Sequence, residues 1–329
     1  MVLDAKNLGE DLDLSIFGAF GRLEIRSDTT PAELVGVAKD AQCLVTNRVR
    51  IEDPLFDAAP NLKLVCLTST GTDQVDIEAA RKHGVAVTFV PAYSTNSVAQ
   101  HTFALALALI EQIPYYDTHV RSRKYHDGFT VFHRPYFELA GAIWGIIGMG
   151  AIGTRVAEIA SAFGSDILHF SPRGGNSSGS DARDAAGRGE SGAAADPTRV
   201  SLDELLERSD VVSIHAPINE KTRNLLSYNE LSSMKPTAVL INVGRGGIVN
   251  EADLARALNE GLLGGAALDV FDPEPPSPDN PLFTIGEPGR TLFTPHIAWA
   301  GLASRRRLIA EVAKNIDAFR SGERRNRAD

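Results

Sequence analysis

Short runs of aliphatic and β-branched residues alternate with segments of helical hydrophobic spacing along most of this chain. In the N-terminal part, the runs that predict strands are Val2–Asp4, Arg22–Ile25, Cys43–Thr46, Leu64–Thr68 and Ala86–Val90. A second series comprises Ala142–Ile147, Ile167–Phe170, Val211–Ile214, Ala238–Asn242, Gly265–Leu268 and Thr291–Phe293. Strands that alternate with helices are typical of α/β folds with parallel sheets. The two series predict two doubly wound parallel-sheet domains.

Helical patterns fill the intervals between these runs. The clearest are Pro31–Lys39, Asp76–His83, Ser97–Ile110 and Gly301–Arg320. Proline in a first turn and glycine just past a last turn are the usual helix start and stop signals, and Pro31 and Gly84 stand at those places. The pattern therefore supports alternating strands and helices in both series.

One segment departs from this alternation. Residues 174–199 contain 6 Gly, 6 Ala and 4 Ser among 26 residues. Such a composition offers too little apolar surface to offset the entropy lost on ordering. We interpret it as a flexible surface insertion within the second domain.

Composition excludes several classes of function. A chain of 329 residues exceeds the usual size of one core, so two domains are expected. The net charge of −9 argues against a nucleic-acid partner, because phosphate binding needs a basic face. The longest apolar run, Phe103–Ile110, is too short to span a bilayer. The arginines near the C-terminus (305–307, 324, 325 and 327) are interpreted as a solvated helix face and tail.

The two cysteines bear on location and on metal binding. Cys43 and Cys66 lie in apolar runs without a second ligand at metal-binding spacing, so we expect no bound metal. Buried free thiols are typical of a reducing compartment, and the acidic N-terminus has no signal-peptide core. These features predict a cytoplasmic protein.

A glycine motif indicates the cofactor. Gly148, Gly150 and Gly153 follow the apolar run that ends at Ile147 and open a helical pattern that continues to about Phe163. The first glycine allows a tight turn, the second a close approach to a pyrophosphate, and the third packing of helix on strand. The motif alone is a weak signal, but its position between strand and helix predicts dinucleotide binding.

The end of the next strand decides between NAD and NADP. An acid there accepts hydrogen bonds from the ribose hydroxyls of NAD. This chain has Ser171-Pro172-Arg173, and its nearest acid, Asp166, precedes the strand. A missing carboxylate removes repulsion of a 2′-phosphate, and Arg173 offers a partner for it. NADP(H) is favoured and NAD(H) stays possible, since Arg173 could equally be a solvated loop residue.

Three residues that suit hydride chemistry follow three successive strands. They are Arg245, Glu274 and His296, and the carboxyl ends of parallel strands are where open α/β sheets bind ligands. A guanidinium can hold a substrate carboxylate and polarise a carbonyl. Histidine can donate a proton near neutrality, and a neighbouring carboxylate favours its charged form and fixes its orientation. Each residue alone is more often structural, so the hypothesis depends on their joint placement.

With these motifs in view, the chain resembles the D-isomer-specific 2-hydroxyacid dehydrogenase family over nearly its full length outside the insertion. The resemblance lies in GMGAIG, NVGRGGIVNEADL, ALDVFDPEP and TPHIAW. It implies that Arg245 binds substrate, that Glu274 partners the histidine and that His296 is the acid/base. It also implies a homodimer, with a Rossmann NAD(P)-binding domain (99–297) inserted into a flavodoxin-like substrate domain (1–98 plus 298–329).

The resemblance implies roles for further positions. Thr70, Gly71 and Thr72 would hold the substrate carboxylate, although the same residues could form a plain strand-to-helix turn. Cofactor contacts are implied for Gly148, Gly150, Ala151, Ile152, Gly153, Ser171, Arg173, His215, Pro217, Thr222, Val243, Gly244, Asp269 and His296. The sequence departs from the family at Trp144, where a smaller aliphatic residue is common, at Ser171 and at the insertion.

Within the family, three segments are most similar to glycerate dehydrogenases, which are also hydroxypyruvate reductases. They are Ser69–Asp76, Tyr93–His101 and Pro295–Trp299. The expected reaction is reduction of hydroxypyruvate or glyoxylate to D-glycerate or glycolate. The alternatives are a D-3-phosphoglycerate or other D-2-hydroxyacid dehydrogenase and, outside enzymes, an NAD(H)-sensing corepressor-like protein.

Overall fold

The computed structural model describes residues 1–127, 134–172, 197–286 and 289–329. The strands are β1 (Cys43–Thr46), β2 (Leu64–Leu67), β3 (Ala86–Thr88), β4 (Ile143–Ile147), β5 (Asp166–Phe170), β6 (Thr198–Arg199), β7 (Val211–Ile214), β8 (Val239–Asn242), β9 (Gly265–Leu268) and β10 (Thr291–Phe293). The helices are α1 (Pro31–Ala38), α2 (Asp53–Ala58), α3 (Ile77–Lys82), α4 (Thr95–Ile110), α5 (Ile113–Arg121), α6 (Ala151–Ala162), α7 (Leu202–Arg208), α8 (Tyr228–Ser232), α9 (Glu251–Asn259) and α10 (Leu302–Arg320). Within these ranges, none of the helices combines the length and apolarity that crossing a bilayer requires.

The chain divides into two compact units. Unit 1 comprises Met1–Ser94 and Ala300–Asp329, and unit 2 comprises Thr95–Trp299. Their limits lie a few residues from the boundaries expected at 98/99 and 297/298. The assignment of substrate and cofactor roles to the two units stays a prediction.

Unit 2 is built on one parallel sheet. In the described residues its seven strands follow the order β10-β9-β8-β7-β4-β5-β6, and every neighbouring pair is parallel. The chain starts in the middle at β4, runs outward to β6, and returns to pair β7 on the other side of β4. This reversal is the switch point at which open α/β sheets bind nucleotides.

Apolar side chains cover both faces of this sheet. Successive strand residues point to opposite faces, so Ile146 belongs to the core that contains α4 and α6, whereas Ile147 belongs to the core that contains α9. Both side chains are fully buried, and burying an aliphatic side chain contributes about 1.5–3 kcal/mol. Burial on both faces explains why these strands appear in the sequence as continuous apolar runs.

Unit 1 carries a smaller parallel sheet of order β1-β2-β3. Val2 forms parallel bridges with Ile25 on one side and with Val45 of β1 on the other. The resulting order, Ile25–Val2–β1–β2–β3, is the flavodoxin-like arrangement that the sequence predicted. The fold class is therefore confirmed.

Some predicted elements are wrong in extent. Two predicted strands, Val2–Asp4 and Arg22–Ile25, pair only through isolated bridges at Val2 and Ile25. The first of them ends early because the chain enters a short 3₁₀ turn at Ala5–Leu8. The predicted insertion at 174–199 lies outside the described residues except at its end. There Thr198–Arg199 pairs with β5 as strand β6, so the insertion does not extend to residue 199. The pairing follows from the free edge that β5 offers.

The arginines near the C-terminus differ in exposure: those at 306, 307 and 324 are exposed, as predicted, whereas those at 305, 325 and 327 are partly buried. Arg305 forms an ion pair with Asp11, and its side chain is only 15% exposed. Arg327 pairs with Asp329, whose side chain also accepts a hydrogen bond from the Val87 N–H. These arginines join α10 and the following residues to the remainder of unit 1.

Candidate active site

The glycine loop after β4 combines two close backbone contacts with an open space. Gly148 has φ +98°, and a Cβ there would lie 2.8 Å from the Ala216 nitrogen. A Cβ at Gly153 would lie 2.2 Å from the Gly148 oxygen, so this position also needs glycine. A Cβ at Gly150 would meet no atom within 4 Å, which leaves open space beside the start of α6. The first-turn N–H groups of α6, including those of Ala151 and Ile152, can donate to an anion in that space.

The loop after β5 carries the residues expected to choose between NAD and NADP. Ser171 directly follows β5 and is partly exposed. Asp166 begins β5 and so lies at the opposite end of the strand. Arg173 lies outside the described residues.

The segment after β7 borders the glycine loop. His215 Nε2 is 3.0 Å from Ser213 Oγ, while His215 Nδ1 is buried and has no partner in the described part of the chain. Burial lowers the pKa of His215 to about 3. Thr222 is fully buried and donates to the Pro217 carbonyl at 2.8 Å, which closes the loop 217–222. The buried Nδ1 is an orphaned polar atom next to the predicted dinucleotide site.

Arg245 is positioned by the turn that follows β8. Asn242, the last residue of β8, accepts from the Gly244 N–H at 3.1 Å and donates to the Arg245 carbonyl at 3.0 Å. Gly246 is required because a Cβ there would lie 1.9 Å from the Phe271 oxygen. The guanidinium of Arg245 donates to the Gly244 carbonyl at 2.9 Å and is partly exposed. The turn, which also contains the buried Val243, thus places a cation at the carboxyl end of β8, which pairs with β9.

Glu274 and His296 form the closest pair among the predicted catalytic residues. Glu274 Oε2 lies 2.7 Å from His296 Nδ1, and the other carboxylate oxygen accepts from the Phe271 N–H at 3.2 Å. A carboxylate only accepts, so Nδ1 carries the proton in this bond and Nε2 faces away from Glu274. The side chains are 28% and 23% exposed, for His296 and Glu274, which leaves them accessible to a small ligand.

A buried carboxylate holds the loop that presents His296. Asp269, fully buried after β9, accepts from the N–H groups of Ile297 and Ala298, both at 2.8 Å. It also accepts from the Thr294 hydroxyl at 2.6 Å. His296 between these anchors has φ +55°, a conformation that non-glycine residues adopt only when held. The described contacts of Asp269 support the loop, and its expected cofactor contact stays a prediction.

The predicted carboxylate cradle lies in unit 1, directly after β2. The N–H groups of Thr70, Gly71 and Thr72 donate to no other backbone atom in the described residues. The loop is shaped by its side chains, since Thr70 donates to the Val90 carbonyl and Ser69 to the Gly71 carbonyl. Successive unpaired amides are suited to an anion.

Sequence reasoning missed two supports of this site. His101 of α4 places Nε2 at 3.1 Å from Thr294 Oγ1 and at 3.7 Å from Asp269 Oδ1. Glu251 accepts from the Asp272 N–H at 2.8 Å and so holds the loop that carries Glu274. Thr294 and His101 both stand within quoted segments, but a single histidine on a helix carries no local signal of the partner it contacts.

Comparison with known proteins identifies the family of this chain. The family model described as "D-isomer specific 2-hydroxyacid dehydrogenase, NAD binding domain" matches residues 103–298. A glycerate dehydrogenase from Methylorubrum extorquens is 34% identical, over 92% of this chain and 90% of the relative. A glyoxylate reductase from Aeropyrum pernix is 37% identical, over 88% of this chain and 83% of the relative.

A solved structure extends the comparison to three dimensions. D-lactate dehydrogenase from Aquifex aeolicus, complexed with NAD and lactic acid, superposes with a TM-score of 0.80 at 29% identity. The match covers 98% of this chain and 96% of that one. The similarity therefore extends over both units of the fold.

Proposed function

Because the chain belongs to the D-isomer-specific 2-hydroxyacid dehydrogenase family, we propose that its substrate is hydroxypyruvate or glyoxylate, reduced to D-glycerate or glycolate. Membership makes the protein a nicotinamide-dependent oxidoreductase that acts on the CH–OH group of its donors. The substrate is proposed from the relatives named glycerate dehydrogenase and glyoxylate reductase. The observation that carries the chemistry is the 2.7 Å contact between Glu274 and His296.

The residues of unit 2 divide the chemical work. Arg245 binds the substrate carboxylate and polarises the carbonyl, for which a planar guanidinium is well shaped. His296 donates a proton from Nε2 to the carbonyl oxygen, while Glu274 at Nδ1 stabilises the charged ring before the transfer. The reduced nicotinamide supplies the hydride. In oxidation the same histidine accepts the proton.

Two sets of backbone donors bind the anionic groups of the ligands in this proposal. The amides at the start of α6 hold the cofactor pyrophosphate, and the open space at Gly150 supports that role. The unpaired amides of Thr70, Gly71 and Thr72 contact the substrate carboxylate. Pro217, Thr222, Val243 and Gly244 border the cofactor.

The proposed preference is for NADPH over NADH. Ser171 leaves the end of β5 without a carboxylate that would repel a 2′-phosphate, and the nearest described acid on that strand lies at its other end. Arg173 is the proposed partner of that phosphate. NADH remains usable, since Ser171 does not obstruct a ribose hydroxyl.

The protein is further proposed to be a cytoplasmic homodimer. Helix α5 has no buried residue in the single chain. Its Ile113 and Val120 are 50% and 55% exposed, and Tyr136 is 60% exposed. Apolar surface of this kind is suited to a second copy. Cys43 and Cys66 are free thiols, which suits a reducing compartment.

Initial-rate assays test the proposal. Reduction of hydroxypyruvate, glyoxylate and pyruvate is followed at the nicotinamide absorbance, each with NADPH and with NADH. We expect kcat/KM to be highest for hydroxypyruvate or glyoxylate, with NADPH ahead of NADH. Faster turnover of pyruvate would contradict the substrate, and a higher kcat/KM with NADH would contradict the cofactor preference. Tight cofactor binding without turnover of any 2-oxo acid would favour a sensing role.

A further inference from the structure

A chain of three hydrogen-bonded side chains, two of them fully buried, lies next to the glycine loop, and it includes Trp144, one of the positions at which this sequence departs from its family. Trp144 of β4 is fully buried, and its Nε1 donates to Ser213 Oγ of β7 at 2.9 Å. Ser213 is also fully buried, and its Oγ is 3.0 Å from His215 Nε2. The three side chains are thus connected in the order Trp144, Ser213, His215.

The hydrogen-bonding chemistry of these groups fixes the direction of the chain. An indole N–H only donates, so Trp144 cannot accept the hydroxyl proton of Ser213. A buried hydroxyl proton without an acceptor is costly, and His215 Nε2 is the acceptor within reach in the described structure. Ser213 therefore donates to Nε2, and the proton of the neutral His215 ring resides on Nδ1. The opposite tautomer would leave two buried groups unsatisfied instead of one.

The Nδ1–H produced in this way has no partner among the described residues. His215 follows β7, next to β4, at the switch point of the sheet. A Cβ at Gly148 would lie 2.9 Å from the His215 carbonyl carbon, so the histidine adjoins the glycine loop. A ligand bound in that crevice is the available source of an acceptor.

We propose that Trp144 and Ser213 act as positioning residues that hold His215 as a neutral Nδ1–H donor, and that this N–H binds an acceptor oxygen of the nicotinamide dinucleotide. The proposal rests on the proposed cofactor site and adds a specific donor to it. It assigns a role to Trp144, which a smaller aliphatic residue at this position could not perform.

Nuclear magnetic resonance of the cofactor-free protein, with ¹⁵N-labelled histidine, tests the tautomer directly. The signals of His215 are assigned by their loss in His215→Asn. We expect Nδ1 to be protonated and Nε2 to be the unprotonated nitrogen at neutral pH, and Ser213→Ala to give a mixture of tautomers. A protonated Nε2 in the wild-type ring would overturn the proposal.

A matched pair of substitutions tests the donor. Asn at position 215 can place an amide N–H where Nδ1 stands, whereas Gln places its amide near the position of Nε2. We expect His215→Asn to bind NADH and NADPH within about 3-fold of wild type, and His215→Gln to bind about 10-fold more weakly, as for loss of one hydrogen bond to a charged or polar acceptor. Dissociation constants come from nicotinamide fluorescence, with thermal unfolding as the control for folding.

The outcomes separate this inference from the proposed function. Equal affinities of the two variants, in a wild-type protein that binds cofactor, would overturn the His215 donor alone. Absence of cofactor binding by the wild type would instead overturn the cofactor site. Titration with ADP-ribose, which lacks only the nicotinamide, shows whether the nicotinamide supplies the acceptor. If His215→Gln weakens the binding of ADP-ribose as much as that of the whole cofactor, the acceptor lies outside the nicotinamide.

Discussion

Two histidine-bearing segments of unit 2, the loop 294–298 after β10 and the segment 215–217 after β7, place the same side chain in different electrostatic settings. His296 contacts a carboxylate through Nδ1 at 2.7 Å and is partly exposed, which leaves Nε2 for a ligand. His215 faces a hydroxyl and a buried N–H without a partner, and burial lowers its pKa to about 3. The first arrangement suits proton transfer and the second suits a fixed neutral donor.

The difference shows that the role of a histidine depends on what its second nitrogen contacts. Both residues follow the carboxyl ends of parallel strands in one sheet, so their positions in the fold are similar. The partners differ, because Glu274 is an anion whereas Ser213 is a neutral hydroxyl whose only proton is needed for His215. The comparison can be tested by substitutions at each segment.

The largest effect is expected from His296→Asn. This change removes the proton donor, and general acid–base catalysis contributes about 10²- to 10⁴-fold. We expect kcat for 2-oxo acid reduction to fall by about 10³-fold while the NADH dissociation constant stays near that of wild type. His83→Asn, at a histidine of unit 1 that is not among the proposed site residues, is the matched control and should keep kcat near that of wild type. Near-normal turnover by His296→Asn would show that another group donates the proton.

The next effect is expected from Glu274→Gln. The amide preserves the shape of the side chain but no longer favours a charged imidazole, so kcat should fall by about 10²-fold. The pH–rate profile of reduction should also differ from that of wild type, because the carboxylate partner of the His296 ring is lost. Glu111→Gln, at an exposed position, is the control. A pH–rate profile identical to that of wild type would argue against the pairing.

A smaller effect is expected from Thr294→Val, which tests how the His296 loop is held. Valine has the shape of threonine but removes the hydroxyl that Asp269 and His101 contact. We expect the free energy of unfolding to fall by about 1–3 kcal/mol, as for a buried polar group left unsatisfied, and kcat to fall more than KM changes. Thr294→Ser retains the hydroxyl and should restore most of both. Equal behaviour of the two variants would mean that the hydroxyl does not hold the loop.

The smallest effect concerns the stability of the segment after β7. The pKa of His215 is about 3 in the folded chain against 6.5 for the free side chain, so the unfolded state binds the extra proton between these values. Stability from this group is present above pH 6.5 and is lost as the pH falls toward 3. In urea unfolding, lowering the pH from 7 to 5 should therefore reduce the free energy of unfolding of wild type more than that of His215→Asn. A difference independent of pH would contradict the neutral state.

Local patterns were sufficient for some features and not for others. The glycine motif predicted a strand, a turn and a helix correctly, because Gly148 and Gly153 each answer a local steric demand. Apart from β6, which was predicted as part of the insertion, the strands of unit 2 were found within about a residue, since burial on both faces gives continuous apolar runs. The bridges at Val2 and Ile25 were overestimated, because the turn at Ala5–Leu8 depends on contacts with distant residues such as those of Asp4 with Asn47 and Arg48.

The sequence by itself determined the α/β class, the family, and the identity of the three residues expected to carry the chemistry, because these depend on spacing and residue type along the chain. Only the tertiary structure decided which partners act on them. His101 contacts Thr294, which is 193 residues away in the sequence. Trp144 of β4 contacts Ser213 of the neighbouring strand β7, which is 69 residues away. Parallel strands are joined by long crossovers, so neighbours in the sheet are distant in the sequence. The direction of a hydrogen bond, and hence the tautomer of a histidine, is fixed only when those strands meet.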